Sequence, residues 1–187
     1  MTANITIRPA SASDATIIAR AVAMAIGDEQ TLKEYCGDDY LATLTAIAAA
    51  ENTQYSWRYA LVAQVDGVVA GAIVGYDGAQ LASLRCGTFT ILQSRIGRTP
   101  TIADETEAGE FYLDSIGVLP ELRGCGVGKA LITALCDKAF SEGHNCVGLI
   151  VETNNPQAEK LYDSLGFRQV STRLFFGHQM YHLQRYR

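Results

Sequence analysis

The sequence predicts a three-layer α/β domain in which helices flank a mixed central β-sheet. The first sign is a pair of β-rich runs, residues 110–118 and 147–152, joined by a stretch with apolar residues at helical spacing. A strand–helix–strand passage of this length implies that the two strands run parallel. The second sign is antiparallel pairing, because Asp66-Gly67 divides two further β-rich runs as a hairpin turn does. At 187 residues the chain is long enough for one domain, residues 1–187, with a full core.

The first half of the chain has the predicted order β, α, α, β, β. Alternating apolar residues open the sequence ITIRPASASDA, and a Ser/Asp cluster then precedes the apolar-periodic residues 15–26, so a strand and a helix are expected. Residues 38–51 place Leu41, Leu44 and Ile47 on one face after an acidic start, which predicts a second helix. Residues 57–76 then contain the two strands of the hairpin.

Two stretches carry no readable motif, residues 28–56 and 77–109. In the second, apolar residues are scattered among turn formers, and an acidic patch follows that contains Asp104, Glu105, Glu107 and Glu110. A segment this long without a clear element is usually functional or poorly ordered. The patch suits a cationic partner, and it is also the composition of a solvated loop.

The second half of the chain has the predicted order β, α, β, α, β, β. A helix over residues 127–140 follows the strand at 110–118 and the loop sequence LRGCGVGKAL. After the strand at 147–152, a further helix is expected with Asn155 as its N-cap, Pro156 in its first position and Gly166 just past its end. Two apolar alternations, residues 167–176 and 180–183, predict an antiparallel finish.

Composition excludes several classes of protein. The net charge of −5 and the pI of about 5.2 argue against nucleic-acid binding and lean towards a cationic partner. No apolar run reaches the roughly 20 residues of a membrane span, and no secretory signal is present, so we expect a cytoplasmic protein. His178 and His182, in a predicted strand, are about 13 Å apart and cannot share a metal. The cysteines lack metal-ligand spacing, so no metal is expected and the thiols should be reduced: Cys36, Cys86, Cys125, Cys136 and Cys146.

The loop sequence LRGCGVGKAL joins a strand to a helix. Glycine-rich turns at helix N-termini hold phosphates through backbone N–H groups, and they also simply turn corners. In α/β sheets, ligands bind at the carboxyl ends of parallel strands, where this loop is expected. It lacks the pattern of a P-loop, and it also lacks the third glycine and the acidic residue of a dinucleotide fingerprint.

Two segments carry a resemblance to a known family. RGCGVGKAL resembles the R/Q-x-x-G-x-G/A loop of the GNAT superfamily of N-acetyltransferases, with Arg123, Gly126 and Gly128 in the signature positions. NPQAEKLYDSLGF resembles that superfamily's N-x-x-A-x-x-L-Y-x-x-x-G-F segment, with matching residues at Asn155, Ala158, Leu161, Tyr162, Gly166 and Phe167. The resemblance covers about residues 110–167 and implies a GNAT-like mixed sheet flanked by helices.

The resemblance implies an acetyl-CoA site. The pyrophosphate would lie against the loop, whose positions are Arg123, Gly124, Cys125, Gly126, Val127, Gly128 and Lys129. The pantetheine would lie between two splayed parallel strands and contact the main chain of Ile116, Gly117 and Val118. Asn155 and Ala158, in the second motif, would also bind the cosubstrate. Gly117 is expected either to form the bulge that parts the strands or simply to end a strand.

The resemblance also implies catalytic roles. Tyr162 matches the tyrosine that donates a proton to the departing CoA thiolate, although an aromatic residue here also suits helix packing. A phenol is a suitable donor because it is neutral at pH 7. The Val118 N–H would stabilise the oxyanion.

The residue that takes the proton from the acceptor is expected on the strand before the loop. By period-2 alternation Glu110, Tyr112 and Asp114 share one face of that strand. Glu110 lies thirteen residues before Arg123, where several family members carry a glutamate base, and Asp114 would hold the substrate ammonium with Tyr112 beside it. The alternative for both acids is a solvated strand edge.

The predicted function is therefore acetyl-CoA-dependent N-acetyl transfer to a primary amine by direct attack in a ternary complex. The acceptor would be a small-molecule or peptide amine, with a cationic one favoured. Two alternatives remain: an acyltransferase that uses another acyl-CoA or an O-acceptor, and a CoA-binding sensor without turnover. The apolar C-terminal strands suit pairing in a homodimer.

Overall fold

The computed structural model describes residues 4–187. Its centre is a seven-stranded sheet with the order β1-β2-β3-β4-β5-β7-β6. β4 and β5 pair in parallel, and every other neighbouring pair in this sheet is antiparallel. The strands are β1 (Ile5–Pro9), β2 (Ala60–Val65), β3 (Val68–Asp77), β4 (Phe111–Val118), β5 (Cys146–Glu152), β6 (Arg168–Phe175) and β7 (His178–Tyr186).

Helices cover both faces of the sheet, so the predicted three-layer architecture is confirmed. One face carries the first four helices, and the other carries the last two, each with its own apolar core. The helices are α1 (Ala15–Ile26), α2 (Glu29–Cys36), α3 (Tyr40–Ala49), α4 (Leu81–Ile96), α5 (Val127–Ser141) and α6 (Pro156–Ser164). Within residues 4–187, no helix has both the length and the apolar character that crossing a bilayer requires.

Local signals placed most element ends correctly. α1 has the predicted bounds and ends at Gly27, whose positive φ of 76° suits glycine. Asp66 and Gly67 form the hairpin turn between β2 and β3 with φ angles of 49° and 83°. Asn155 caps α6, because its side-chain oxygen accepts from the Ala158 N–H at 3.1 Å.

Two helices lie in the segments that showed no pattern. α2 has only eight residues and begins at an Asp28 cap, so it is too short to show a repeat. α4 has sixteen residues, and its buried stripe consists of Leu81, Leu84, Thr88 and Leu92. A polar threonine in the stripe and a glycine at position 87 weaken its apolar period. The expectation of a long irregular segment over 77–109 was therefore wrong for its first half.

Candidate active site

A cleft opens between the carboxyl-terminal halves of β4 and β5. The two strands share only two paired positions, Phe111 with Val147 and Tyr112 with Gly148. Beyond them β5 pairs with β7 alone, while residues 113–118 of β4 pair with β3 alone. This is the splay of parallel strands that the sequence resemblance implied.

A β-bulge in β4 lies at Asp114. Val74 pairs with Ser115 and Gly75 pairs with Leu113, so Asp114 is the extra residue. The prediction of a bulge at Gly117 was wrong, since Gly117 pairs regularly with Ala72. The bulge shifts by one residue which side chains of β4 face α5. Before the bulge these are Phe111 and Leu113, and after it they are Ile116 and Val118, which pack against the same apolar core.

Gly117 faces α1 and lets that helix approach the sheet. A Cβ atom at this position would overlap the backbone of Ala21 in α1. The residue therefore serves close helix packing next to the cleft, a role that local sequence does not show. Its neighbours Ile116 and Val118 are half-buried, in the stretch of β4 that borders the opening.

The glycine-rich loop leads directly into α5. Gly124 and Gly126 have φ angles of 78° and 89°, and Gly126 is the N-cap of the helix. The first N–H groups of a helix have no intrahelical acceptor, so those of the first turn of α5 are available to an anion. The Arg123 side chain folds back, with Nε donating to the Val118 carbonyl at 3.0 Å. Cys125 is exposed.

Gly128 differs from Gly124 and Gly126. It lies in the first turn of α5 without a positive φ, and a Cβ there would come no closer than 3.9 Å to Val118. Neither backbone conformation nor internal packing therefore requires glycine at this position. Glycine weakens a helix relative to alanine, so an outside group that approaches the backbone closely is the remaining physical reason for it.

Tyr162 projects from α6 into the core beside β5. Its ring makes an edge contact with Phe167, with centroids 5.7 Å apart. Burial raises the pKa of Tyr162 to about 12, so the phenol keeps its proton throughout the physiological range. The packing role and the proton-donor role considered from the sequence are compatible in this position.

Glu110 lies immediately before β4 and is almost fully buried. Thr106 Oγ1 donates to Oε1 at 2.7 Å, Gln184 Nε2 donates to Oε2 at 2.8 Å, and His182 Nε2 lies 2.9 Å from Oε2. Burial pushes the pKa of Glu110 upwards, but the hydrogen bonds from His182, Thr106 and Gln184 outweigh it and the net pKa is lowered. Gly148 leaves room for the carboxylate, which a Cβ atom would overlap.

His182 is buried and His178 is exposed, so the two histidines lie in different environments. His182 Nδ1 also lies 3.2 Å from Ser171 Oγ, which makes a chain from Ser171 through His182 to Glu110. No group of three or more His, Cys, Asp or Glu side chains in the described part of the chain is arranged to hold a metal ion.

Tyr112 and Asp114 lie on the face of β4 opposite α5. Tyr112 is buried against Tyr76, with ring centroids 5.9 Å apart. Asp114 accepts hydrogen bonds from Tyr76 Oη and Ser115 Oγ, both at 2.8 Å. Burial raises the pKa of Asp114, and these two hydrogen bonds only partly offset it.

Glu105 is a buried member of the acidic patch, while Asp104 and Glu107 remain exposed. Burial raises the pKa of Glu105, and the nearby Asp114 raises it further. Its basic partner is Arg85 of α4, which also pairs with Asp104. Sequence reasoning gave Glu105 no separate role, because Arg85 and Asp114 meet it only through packing of α4 against β3 and β4.

Comparison with known proteins agrees with this geometry. A model of the acetyltransferase (GNAT) family matches residues 29–167. The N-alpha-acetyltransferase RimI of Mycobacterium tuberculosis is 36% identical over 103 residues, which are 55% of this chain and 50% of that protein. A mycothiol acetyltransferase of Paenarthrobacter aurescens is 36% identical over 89 residues, 48% of this chain and 25% of that protein. The chain thus spans half or less of the length of these relatives.

Solved structures match along nearly the whole chain. An N-acetyltransferase from Staphylococcus aureus Mu50 has a TM-score of 0.84 at 26% identity, covering 96% of this chain and 99% of that one. Another acetyltransferase has a TM-score of 0.81 at 31% identity, covering 97% and 98%. The cleft, the glycine loop and these matches define an acyltransferase fold, and the chain belongs to the acetyltransferase (GNAT) family. The predicted resemblance, fold class and enzyme class are thereby confirmed.

Proposed function

We propose that this chain is an acetyl-CoA-dependent N-acetyltransferase that transfers the acetyl group to a primary amine by direct attack in a ternary complex. The observation that carries the proposal is the cleft between β4 and β5, which opens beside the N-terminus of α5 and its glycine loop. The cleft offers unpaired strand edge for an extended chain, and the loop offers N–H groups for phosphates. An acyl-CoA has both parts.

The loop residues fit the pyrophosphate of the cosubstrate. Backbone N–H groups from Gly124 to Lys129 would hold it, and Gly128 would let it approach the first turn of α5. Ile116, Gly117 and Val118 would contact the pantetheine along the open edge of β4. Asn155 and Ala158 would form the opposite wall of the cleft, since the hydrogen bond between them fixes the start of α6.

Two groups of the chain would stabilise the negative charges that develop on the thioester oxygen and on the departing sulfur. The Val118 N–H is proposed to donate to the thioester oxygen, and Tyr162 is proposed to donate its proton to the departing sulfur. Support for the second role comes from the position of Tyr162 in the second motif, and the phenol is protonated before the transfer.

The amine must lose a proton before it attacks. An alkylammonium with a pKa near 10 is about one part in a thousand neutral at pH 7, which adds roughly 4 kcal/mol to the barrier. Glu110 is proposed to receive this proton through water. Its chain of hydrogen bonds to His182 and Ser171 gives the charge a fixed environment, and its lowered pKa keeps it ionised. Tyr112 and Asp114 are proposed to border the acceptor.

Other acyl-CoA donors, O-acceptors and a sensor without turnover are the alternatives. The relatives support N-acetylation, because one is named an N-alpha-acetyltransferase and another a [ribosomal protein bS18]-alanine N-acetyltransferase. A cytoplasmic location is proposed because all five cysteines are free thiols, as in reducing compartments. A homodimer is proposed through β6, an edge strand with Val170 48% and Leu174 65% exposed.

Thiol release from acetyl-CoA tests the proposed function. Wild-type protein is offered diamines, amino sugars, amino acids and peptides, and it is compared with Tyr162→Phe and Glu110→Gln. We expect release with one amine class and a loss of kcat/KM of roughly tenfold or more in each variant. The Glu110→Gln defect should shrink as the pH rises, because the acceptor then loses its proton unaided.

Tyr40→Phe is the matched control, since Tyr40 begins α3 in the helical layer and takes no part in the cleft. Its kcat/KM should equal that of the wild type. Unchanged turnover in Tyr162→Phe would remove the proton-donor role. Tight binding of acetyl-CoA with no thiol release from any acceptor would favour the sensor.

A further inference from the structure

A mostly buried cluster of polar and aromatic side chains lies beside the point where β4 leaves β5. We call it the acidic chamber, and define it by Asp114, Glu105, Gln54 and the rings of Tyr35, Tyr55, Tyr76 and Tyr112. Asp114 is the bulge residue, two positions beyond Tyr112, which is the last residue of β4 that pairs with β5. The chamber therefore borders the part of the cleft where an acceptor would meet the thioester.

Negative charge in the chamber exceeds the positive charge around it. Arg85 pairs with Glu105 and Asp104, and Arg173 of β6 pairs with Glu107. Glu110 has hydrogen-bond partners in Thr106, Gln184 and His182. Among residues 4–187, Asp114 has no basic side chain within ion-pair distance and relies on two hydroxyl donors. A carboxylate in such surroundings is unfavourable unless it takes up a proton or a cation joins it, and the raised pKa of Asp114 reflects this.

Gln54 supplies an independent sign of a missing partner. Its side chain is 3% exposed, and its Nε2 contacts Glu105 Oε1 at 2.9 Å and Tyr76 Oη at 3.3 Å. The amide thus lies inside the chamber, yet its Oε1 has no hydrogen-bond donor in the described chain. A buried carbonyl oxygen normally has a donor, and a ligand N–H would supply one.

Aromatic rings form the walls. Tyr35 and Tyr55 contact each other through hydroxyls 3.3 Å apart, and Phe176 at the tip of the β6–β7 hairpin packs edge-on against Tyr35 at 5.8 Å. Asp114 keeps part of its surface open to solvent, so an ammonium ion can reach its carboxylate. Electron-rich ring faces attract ammonium groups, as carboxylates do.

Resting on the acetyl transfer proposed above, we propose that the acidic chamber binds the acceptor as an organic ammonium ion that carries no carboxylate. Asp114 accepts the first ammonium hydrogen bond, and Gln54 Oε1 and Glu105 accept from a second donor deeper in the chamber. A diamine meets these requirements. An amino acid fits less well, because its carboxylate would face Asp114 and Glu105. The terminal nitrogens of Arg85 are already paired with Asp104 and Glu105, which leaves only its Nε without an acceptor in the described chain, and Arg173 is paired with Glu107.

Equilibrium binding to the full chain in the presence of CoA tests the assignment without turnover. The probes are 1,4-diaminobutane, 1-aminobutane and 5-aminopentanoate, which share an ammonium on a four-carbon chain and carry at its other end a second ammonium, a hydrogen atom or a carboxylate. We expect calorimetry to show the diamine binding at least tenfold more tightly than 5-aminopentanoate, with 1-aminobutane between them. Equal binding of the three, or no binding of the diamine, would overturn the proposal.

Variants then assign the effect to residues. Asp114→Asn and Glu105→Gln should each weaken diamine binding at least tenfold and leave CoA affinity within twofold. Glu142→Gln, which removes a surface carboxylate near the C-terminus of α5, controls for net charge and should bind the diamine as the wild type does. Diamine binding unchanged by Asp114→Asn would contradict the assignment, and thermal unfolding of each variant identifies any loss of fold.

Thiol release measured on the same samples separates the two proposals. Diamine binding with its carboxylate discrimination but no thiol release would support the chamber and contradict acetyl transfer. Thiol release that favours 5-aminopentanoate would support acetyl transfer and contradict the chamber.

Discussion

Three glycines around the start of α5 look alike in sequence and differ in physical role. Gly124 and Gly126 adopt positive φ, which side chains resist, whereas Gly128 has an ordinary helical position with free space around it. Only Gly128 has no reason for being glycine within the described chain. It is therefore the residue at which a ligand-binding role and a folding role separate most cleanly.

Gly128→Ala should stabilise the fold and weaken cosubstrate binding. Alanine in a helix is favoured over glycine by up to about 1 kcal/mol, so Tm should rise slightly. The added methyl group would stand between the backbone and the phosphates, so the Kd for acetyl-CoA should rise about tenfold or more. Chemical denaturation and calorimetry measure the two effects.

Gly126→Ala is the matched comparison, since its φ of 89° makes a side chain strained and stability should fall. A Gly128→Ala protein that bound acetyl-CoA as tightly as the wild type would show that the ligand does not approach this turn.

At the scale of elements, α4 holds together the residues of the proposed acceptor site. Its Arg85 holds Glu105, and its Thr88 hydroxyl accepts from the Gln54 N–H at 3.1 Å. Gly87 allows this contact, because a Cβ there would overlap the Asn52 carbonyl oxygen. The glycine that obscured the helix in the sequence is the one that lets it pack against the 50–56 loop.

Gly87→Ala should consequently destabilise the protein although alanine favours helices. Separation of α4 from the loop is expected to lower the free energy of unfolding by about 1–3 kcal/mol. Ser94→Ala, on the exposed side of the same helix, is the control and should be neutral or slightly stabilising. Urea denaturation compares them, and a stabilised Gly87→Ala protein would refute the close packing.

At the scale of the whole molecule, the sheet has its fewest paired positions between β4 and β5. Strands β1 to β4 form one part and β5, β7 and β6 form the other, joined within the sheet by two paired positions. A ligand that fills the cleft would contact both parts. Cosubstrate binding should therefore stabilise the fold as one unit, and protect β5 in particular.

Acetyl-CoA at one hundred times its Kd should add about 2.7 kcal/mol to the free energy of unfolding. For a chain of this size that corresponds to a rise in Tm of roughly 5–10 °C. Thermal unfolding measures the shift, and hydrogen exchange should show slower exchange in β5 and in the first turn of α5. ADP, which lacks the pantetheine, should have a smaller effect. An unchanged Tm at saturating acetyl-CoA would contradict a ligand between the strands.

The elements around the glycine loop, where CoA is proposed to bind, were predictable from sequence because their signals are local. The strand before the loop, the glycines, α5, β5 and the Asn155 cap lie consecutively in the chain, and each depends on hydrogen bonds between near neighbours. The fold class followed from the same periodicities. Their spatial relation follows from the right-handed crossover of parallel strands.

Only the tertiary structure brought together the residues of the proposed acceptor site. Gln54, Glu105 and Asp114 come from three separate parts of the chain, and Glu110 meets His182 across seventy-two positions. The bulge lies at Asp114 rather than at Gly117, where it was predicted. The structure also contains α4, a helix whose apolar period is too weak to be read from the sequence. Such contacts depend on how layers pack rather than on local spacing, so no sequence period records them.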